Sequence, residues 1–582
     1  MARGRFDVWA PRPEQVRLSV GDEVLRMRRS HDGWWTPEGP VPTGEVDYGY
    51  LLDEDPTVLP DPRSRRQPDG VHGRSRTDDP AAFGWTDAAW PGRELRDSIL
   101  YELHVGTFTP EGTLDAALGR IDHLVALGVG MVELLPVNAF NGTHNWGYDG
   151  VLWSAVHEPY GGPEAYRRFV DGCHAAGIGV VQDVVHNHLG PSGNYLPLFG
   201  PYLKEGRSTW GDLVNLDGEG SDEVRRLILD SALMWFEDFH VDGLRLDAVH
   251  ALVDTSGTHL LEQLAGEVDA LSSRLGRPLT LIAESDLNDI SLVTPRTDGG
   301  YGLTAQWSDD FHHALHVAFT GETDGYYADF ADPEALTKVF NEGFFHAGTY
   351  SSFRGREHGK PIPTSTTPAW RLVVYAQNHD QVGNRARGDR LTAGLEEEQL
   401  VCLAMLVLTA PFTPMVFAGE EWATETPFAF FTSHPESDLG TAVAQGRIEE
   451  FARMGWDPAT VPDPQDPTTF EASHLDWDAI TGPHARVLAA YQELGRLRAG
   501  RPELRDGTFG RATQDPLTRL FTLERGNLTV LAALGPEPVT IELATGDRVL
   551  FTTGTGALLD DRTGRLAPGS GCVIEHARAG SG

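Results

Sequence analysis

Val241–His250, reading VDGLRLDAVH, is the stretch on which the fold of this chain turns. From Leu244 to Asp247 apolar and polar residues alternate. That period of two belongs to a β-strand and puts residues two apart on one face. Arg245 and Asp247 therefore point the same way, with Leu244 and Leu246 on the other side. A guanidinium beside a carboxylate keeps it ionised by direct attraction. Alone, the pair has two readings: a structural ion pair at a strand end, or a positioned aspartate nucleophile. Two further carboxylates at strand ends, Glu284 in LTLIAESD and Asp380 in LVVYAQNHD, shift the reading toward chemistry.

The same texture extends to both sides. Ile99–Val105, Met131–Val137, Ile178–Val185 and Leu244–Val249 read as four strands. Leu279–Ala283, Leu303–Trp307, Leu372–Ala376 and Pro414–Ala418 make four more. Helical patterns lie between them at Leu114–Leu127, Pro163–Ala176, Asp222–Phe239 and Glu397–Leu408. Asp222–Phe239 carries Val224, Leu227, Ile228, Ala232, Trp235 and Phe239 on one stripe, with acids in its first turn. Eight strands alternating with helices predict an α/β fold, a parallel sheet closed as a (β/α)₈ TIM barrel. Polar clusters follow at the C-terminal strand ends: Asp183, His186 and His188, then Asp247, Glu284, His379 and Asp380. In this architecture that end carries the active site.

The flanks read differently. Residues 1–90 predict an N-terminal, carbohydrate-binding-like β-sandwich, with short strands at Phe6–Pro11 and Val16–Val20 and a long Arg- and Pro-rich loop over Asp61–Pro80. Trp34 and Trp35 are either a sugar-stacking platform or one core and one rim residue. The barrel is expected over 91–503, closing with the helix His484–Arg498. A C-terminal antiparallel β domain is expected over 504–582, with strands at Leu520–Leu523, Leu528–Ala533, Val539–Leu543, Arg548–Phe551 and Cys572–Ile574.

The formal charge of −38 sets the partners aside: the chain is repelled by nucleic acid and by anionic membrane surfaces. No apolar run spans a bilayer, and MARGRFDVWAPRPEQ has no signal-like apolar core. Three scattered cysteines, Cys173, Cys402 and Cys572, argue against a disulfide framework, so a cytoplasmic location is expected. His312 and His316 have the spacing of a helical metal pair but no evident third ligand, and no Gly-rich phosphate cradle is present; no metal and no cofactor are expected.

Four blocks, in order and at the strand ends, resemble the α-amylase superfamily of glycoside hydrolases and transglycosylases. They are Asp183–His188 (DVVHNH), Gly243–Asp247 (GLRLD), Ala283-Glu284 and Asn378-His379-Asp380. Tyr101–Phe108 (YELHVGTF), Asn145–Gly150 (NWGYDG), Gly193–Pro197, Phe199–Tyr202, Gln377–Arg385 (QNHDQVGNR), Gly419-Glu420-Glu421 and Pro427–Phe431 sharpen the resemblance to its trehalohydrolase branch. His186 departs from that pattern, where tyrosine is expected. FDVWAP resembles the β-sandwich preceding the barrel in branching and debranching members.

The resemblance implies a retaining glycosidase that cuts the α-1,4 bond next to the terminal trehalose of malto-oligosyltrehalose. It further implies other α-glucans as substrates and a partner enzyme that makes malto-oligosyltrehalose. Retention needs two carboxyl groups roughly 5–5.5 Å apart. The implied catalytic residues are Asp247 as nucleophile, Glu284 as acid and base, and Asp380 as stabiliser of charge and ring distortion. Arg245 holds Asp247 ionised. His188 and His379 are implied as neutral donors to sugar hydroxyls, with Tyr148 stacking under the sugar. Asp183 is expected to orient Arg245 or His188. Asp309, Asp310 and Glu420 have the chemistry to meet the trehalose end. Two alternatives stay open: a glycogen branching enzyme with the same three carboxyl groups, and a non-catalytic carbohydrate-binding protein on a retained barrel.

Overall fold

The computed structural model describes residues 4–453, 458–555, 557–559 and 563–577. Eight parallel strands close into a barrel. In chain order they are Leu100–Leu103, Met131–Leu134, Gly179–Val184, Gly243–Leu246, Thr280–Ala283, Ala305–Trp307, Leu372–Tyr375 and Thr413–Phe417. Each lies inside an interval read from sequence or within one residue of it. Strand eight pairs with strand one, Met415 opposite Leu100 and Phe417 opposite Glu102, which completes the ring.

Alternation decides what fills the barrel. Leu100, Met131, Val181, Ile282, Ala305, Val373 and Met415 pack together inside it. Two residues further along the same strands, on the same inward side, stand Glu102, Glu133, Asp183, Glu284, Trp307, Tyr375 and Phe417. Strand four contributes Gly243 and then Arg245. The barrel interior thus changes from apolar to ionisable within one step of the pleat, below the end where loops gather.

The surrounding helices include Gly162–Ala175, Ser221–Asp238, Leu260–Leu275, Asp309–Thr320, Glu397–Thr409 and Gly482–Gly500. The single helix expected at Leu114–Leu127 is two, Leu114–Leu118 and Ile121–Leu127. Gly119 caps the first and Arg120 leaves helical geometry at φ −105°, ψ 8°, so the apolar stripe continues across a break. Glycine at that point is a weak helix former, and the pattern does not register the interruption.

The N-terminal strands Val8–Trp9, Val16–Val20, Glu23–Arg29, Trp34–Pro37, Asp47–Leu52 and Ser75–Arg76 are antiparallel and join in one continuous pairing order. Trp34 and Trp35 are both buried, at 3% and 4% exposure, so neither reading of the pair holds. Trp35 donates its indole N–H to the Ala10 carbonyl. The Arg-rich loop between its last two strands staples it to the barrel: Arg63 pairs with Asp230, Arg65 with Asp238, and Arg66 with Glu158 and Glu164. At the other end, five strands order as Arg511–Gln514, Leu520–Arg525, Leu528–Ala533, Gly571–Glu575 and Arg548–Thr552, beside a three-stranded antiparallel sheet. The three cysteines are buried thiols. Among the described residues no helix is long and apolar enough to cross a membrane.

Candidate active site

Strands four and five run in register, Leu246 opposite Ala283, so Asp247 and Glu284 leave them side by side. The Glu284 N–H donates to the Leu246 carbonyl at 3.0 Å. Neighbouring strands lie about 4.8 Å apart. The register therefore brings the two carboxyl groups out of adjacent strands on the same inward side.

Arg245 holds the two together. It is fully buried, and its Nη1 donates to Asp247 Oδ1 at 2.7 Å and to Asp183 Oδ2 at 2.9 Å. Its Nη2 lies 3.8 Å from Glu284 Oε2. Trp307 packs under the guanidinium, 4.3 Å from ring centroid to Cζ. The second Asp247 oxygen accepts from Asn187 Nδ2 at 2.7 Å. Both oxygens of this aspartate are thus aimed by donors.

Glu284 sits in a different field. Burial pushes its carboxyl well above the usual range. Arg245 opposes that shift, and Asp247, Asp380 and Asp309 reinforce it. A carboxyl whose proton is favoured by burial, beside a second carboxyl whose oxygens are aimed by Arg245 and Asn187, is the asymmetry an acid and nucleophile pair needs. Asp380 is the most open of the three, its side chain 41% exposed, on the opposite rim at the start of the helix His379–Gly383.

His379 differs from the expected neutral donor. Burial opposes its charge, but Asp380 and Glu102 outweigh burial and hold the imidazole up at about 9. Its Nδ1 faces Glu102 at 2.6 Å, and its Nε2 faces the Tyr148 hydroxyl at 2.8 Å. Tyr148 donates that hydroxyl to Asp183 Oδ2 at 2.7 Å and stacks its ring on His379, centroids 5.3 Å apart. Gly147 makes this placement possible: at φ 109° a Cβ would sit 2.1 Å from the Pro136 carbonyl oxygen. His188 also departs from its expected role. Its ring nitrogens face Asn187 Oδ1 at 2.7 Å and the Tyr148 carbonyl at 2.9 Å, so it fixes the loops rather than offering a free donor. Asp183 orients Arg245 and Tyr148, and burial raises its pKa to about 7 against the pull of Arg245.

Of the residues expected to meet the trehalose end, Asp309 is near the site. It accepts from Tyr375 at 2.5 Å and from Gln381 at 3.2 Å, and burial raises it to about 6. Asp310 instead accepts from Asn288, Phe345 and His346, pinning loops from inside. Glu420 is buried and bonded to Tyr491. His186 is buried and neutral, its pKa lowered to about 4 by burial, and packs edge-on against Trp153. His312 is held by the Ala376 carbonyl and the Tyr327 hydroxyl, and His316 by Glu322. Among the described residues no group of three or more His, Cys, Asp or Glu is arranged for a metal ion.

Several site residues were absent from the sequence reading. Glu102 and Glu133 are charged residues inside otherwise apolar strands, a signal that was available. Asn187 lies within a quoted block. Trp210, 45% exposed beside His188 and His250, and Arg354, paired with Asp286 at 2.8 Å, come from loops whose position no local pattern gives.

The alpha-amylase family, described as its catalytic domain, matches residues 62–197. A malto-oligosyltrehalose trehalohydrolase of Rhizobium sp. (strain M-11) is 58% identical over 582 residues, covering 98% of this chain and 97% of its own. One from Arthrobacter ramosus is 60% identical over 541 residues, covering 92% and 93%. Among solved structures, an alpha amylase candidate from Salmonella typhimurium superposes with a TM-score of 0.89 at 37% identity, covering 98% of this chain and 97% of that one. Likeness of this extent, over the barrel and both flanking β regions, places the chain in the malto-oligosyltrehalose trehalohydrolase family of α-amylase-type glycoside hydrolases.

Proposed function

We propose that the protein hydrolyses, with retention, the α-1,4 bond next to the terminal trehalose of malto-oligosyltrehalose, releasing trehalose and a shortened malto-oligosaccharide. The observation that carries the chemistry is Arg245, one guanidinium facing Asp247 and Glu284 from its two ends. In the first step an Asp247 oxygen bonds to the anomeric carbon as the glycosidic C–O bond breaks. The Glu284 proton goes to the leaving 4-oxygen of trehalose. In the second, water attacks that carbon from the side trehalose vacated, Glu284 takes its proton, and Asp247 leaves as a carboxylate. Asp380 accepts from hydroxyls of the sugar at the cleavage point, and these bonds strengthen as the ring flattens. His379 places its positive charge between Asp380 and Tyr148.

Discrimination belongs to the leaving-group side of Glu284. Asp286, two residues on, is held by Arg354, and with Asp309 it offers partners to trehalose hydroxyls. Residues 91–503 are taken as the catalytic unit, with 1–90 and 504–582 as supporting β domains. Product analysis on a trehalose-capped malto-oligosaccharide tests the proposal. Trehalose plus a reducing glucan fragment is expected. New α-1,6 branches from amylose, without trehalose release, would make the protein a branching enzyme.

A further inference from the structure

We propose that Glu102 is a positioning residue for the reaction: from the barrel interior it grips the ring and the peptide of His379 through both carboxylate oxygens, and so fixes His379 Nε2 against Tyr148 and aims the adjoining Asp380 side chain at the sugar. The inference rests on the site assignment above, but its principal test needs no substrate.

Glu102 is 1% exposed and reaches the site from strand one. Its Oε1 faces His379 Nδ1 at 2.6 Å, and its Oε2 accepts from the His379 backbone N–H at 3.0 Å. Two bonds from one carboxylate to one residue fix the imidazole's orientation and the entry angle of the following helix together. A buried, charge-assisted bond of this kind is strong and directional. The neighbouring position on strand two is Glu133, directly opposite in the pairing and equally buried. Its Oε2 has no hydrogen-bond partner. Burial, then the charge of Glu102, pushes the Glu133 carboxyl well above the usual range. Burial and the neighbouring Glu102 thus both favour the protonated form of Glu133.

His379 is faced from below by Glu102, from its own helix by Asp380 at 3.5 Å, from the loop after strand two by Tyr148, and from strand four by Arg245. Asp183, Glu133 and His104 also sense its charge. With both nitrogens protonated, Nε2–H donates to the Tyr148 oxygen. Tyr148 donates to Asp183, and Asp183 accepts from the same Arg245 nitrogen that holds Asp247. A directed chain thus runs from Glu102 to the nucleophile. If His379 were neutral with its proton on Nδ1, Nε2 would become an acceptor. The Tyr148 hydroxyl would turn toward it and abandon Asp183.

The test is ¹⁵N NMR of the full chain labelled at histidine, with the His379 signals identified by their loss in His379→Gln. Both His379 nitrogens are expected to carry protons at pH 7.5 in the wild type. In Glu102→Gln the amide cannot accept at both positions, and His379 should be neutral at that pH. That variant should lose about 10- to 100-fold in kcat, with KM changed less than about threefold. Removing a partner of the protonated imidazole lowers its pKa, so the alkaline limb of kcat should move to lower pH. Glu133→Gln, which replaces a neutral carboxyl by a neutral amide, should leave His379 doubly protonated. A neutral His379 in the wild type overturns the proposal, and this arm stands even if Glu102→Gln does not fold. So does a Glu102→Gln protein that keeps the doubly protonated ring or full kcat. A doubly protonated His379 in a chain that releases no trehalose would sink the substrate assignment and leave this proposal standing.

Discussion

The backbone N–H of Ala248 donates to Glu284 Oε2 at 2.6 Å. Ala248 follows Asp247 directly and turns the chain at φ 39°, ψ 52°, a left-handed conformation that costs a residue with a Cβ on the order of 1–3 kcal/mol. The strained turn ends strand four, presents the nucleophile, and points a donor at the acid on strand five. Strain of this kind persists where surrounding structure fixes it, here through Arg245 and Asn187.

Exchange of either carboxyl for its amide should stop the chemistry. Glu284→Gln cannot protonate the leaving oxygen, and Asp247→Asn has no nucleophile. Each should lose at least about 10²–10⁴-fold in kcat while substrate affinity changes little. Steady-state kinetics with a calorimetric binding measurement checks both. More than about a tenth of wild-type turnover in either would contradict the assignment.

The same Glu284→Gln exchange should stabilise the fold at alkaline pH. Burial raises the folded-state pKa of Glu284, so the folded chain binds this proton more tightly than the unfolded chain. That stability is fully present below the ordinary carboxyl range and is lost as pH rises through the folded value. Glutamine never ionises and avoids the loss. Thermal melts at pH 8–9 should show Tm higher by about 1–3 °C for the variant, with the gap closing near pH 4. An equal or lower Tm at pH 9 would mean that Glu284 is not held protonated.

Arg245→Lys keeps the charge but not the fork. A single ammonium cannot bond Asp183 and Asp247 while also facing Glu284. Displacement of the nucleophile by about 1 Å costs on the order of 10²-fold, and kcat should fall at least that far. Circular dichroism would confirm that the variant is folded. Turnover within a few-fold of wild type would show that the guanidinium geometry is dispensable.

Double displacement through Asp247 releases the glucan fragment as its α-anomer. Proton NMR in the first minutes, before mutarotation, reads this directly. The glucan fragment must be observed, because trehalose has no reducing end. Initial β-anomer would exclude Asp247 as a covalent nucleophile.

Much of this was legible in the sequence because the barrel uses a simple code. Strand patterns such as LYEL, MVEL and GLRL give the barrel, the residues just past strands four and five give Asp247 and Glu284, and Asp380 follows five residues after strand seven. Arg245 and Asp247 share a face in the structure as alternation requires. Burial and partners were not legible. His379 read as a neutral donor because Glu102 lies 277 positions away. Trp34 and Trp35 are core because strand pairing places both against packed residues, which composition does not reveal. Asp309 and Asp310 are sequence neighbours with opposite surroundings, one toward the site and one tying loops from within.

The central claim is recognition of the trehalose end, and a ratio of rates tests it. Two substrates with equal numbers of glucose units are compared, one capped by trehalose and one a plain malto-oligosaccharide. Hydroxyl partners near Asp286, Arg354 and Asp309 that bond trehalose are left unpaired with the plain chain, and such mismatches discriminate more strongly than apolar packing. The ratio of kcat/KM should favour the capped substrate by at least about tenfold, roughly 1.4 kcal/mol in the transition state. Equal values for the two substrates, or glucose and maltose released without trehalose, would contradict the account.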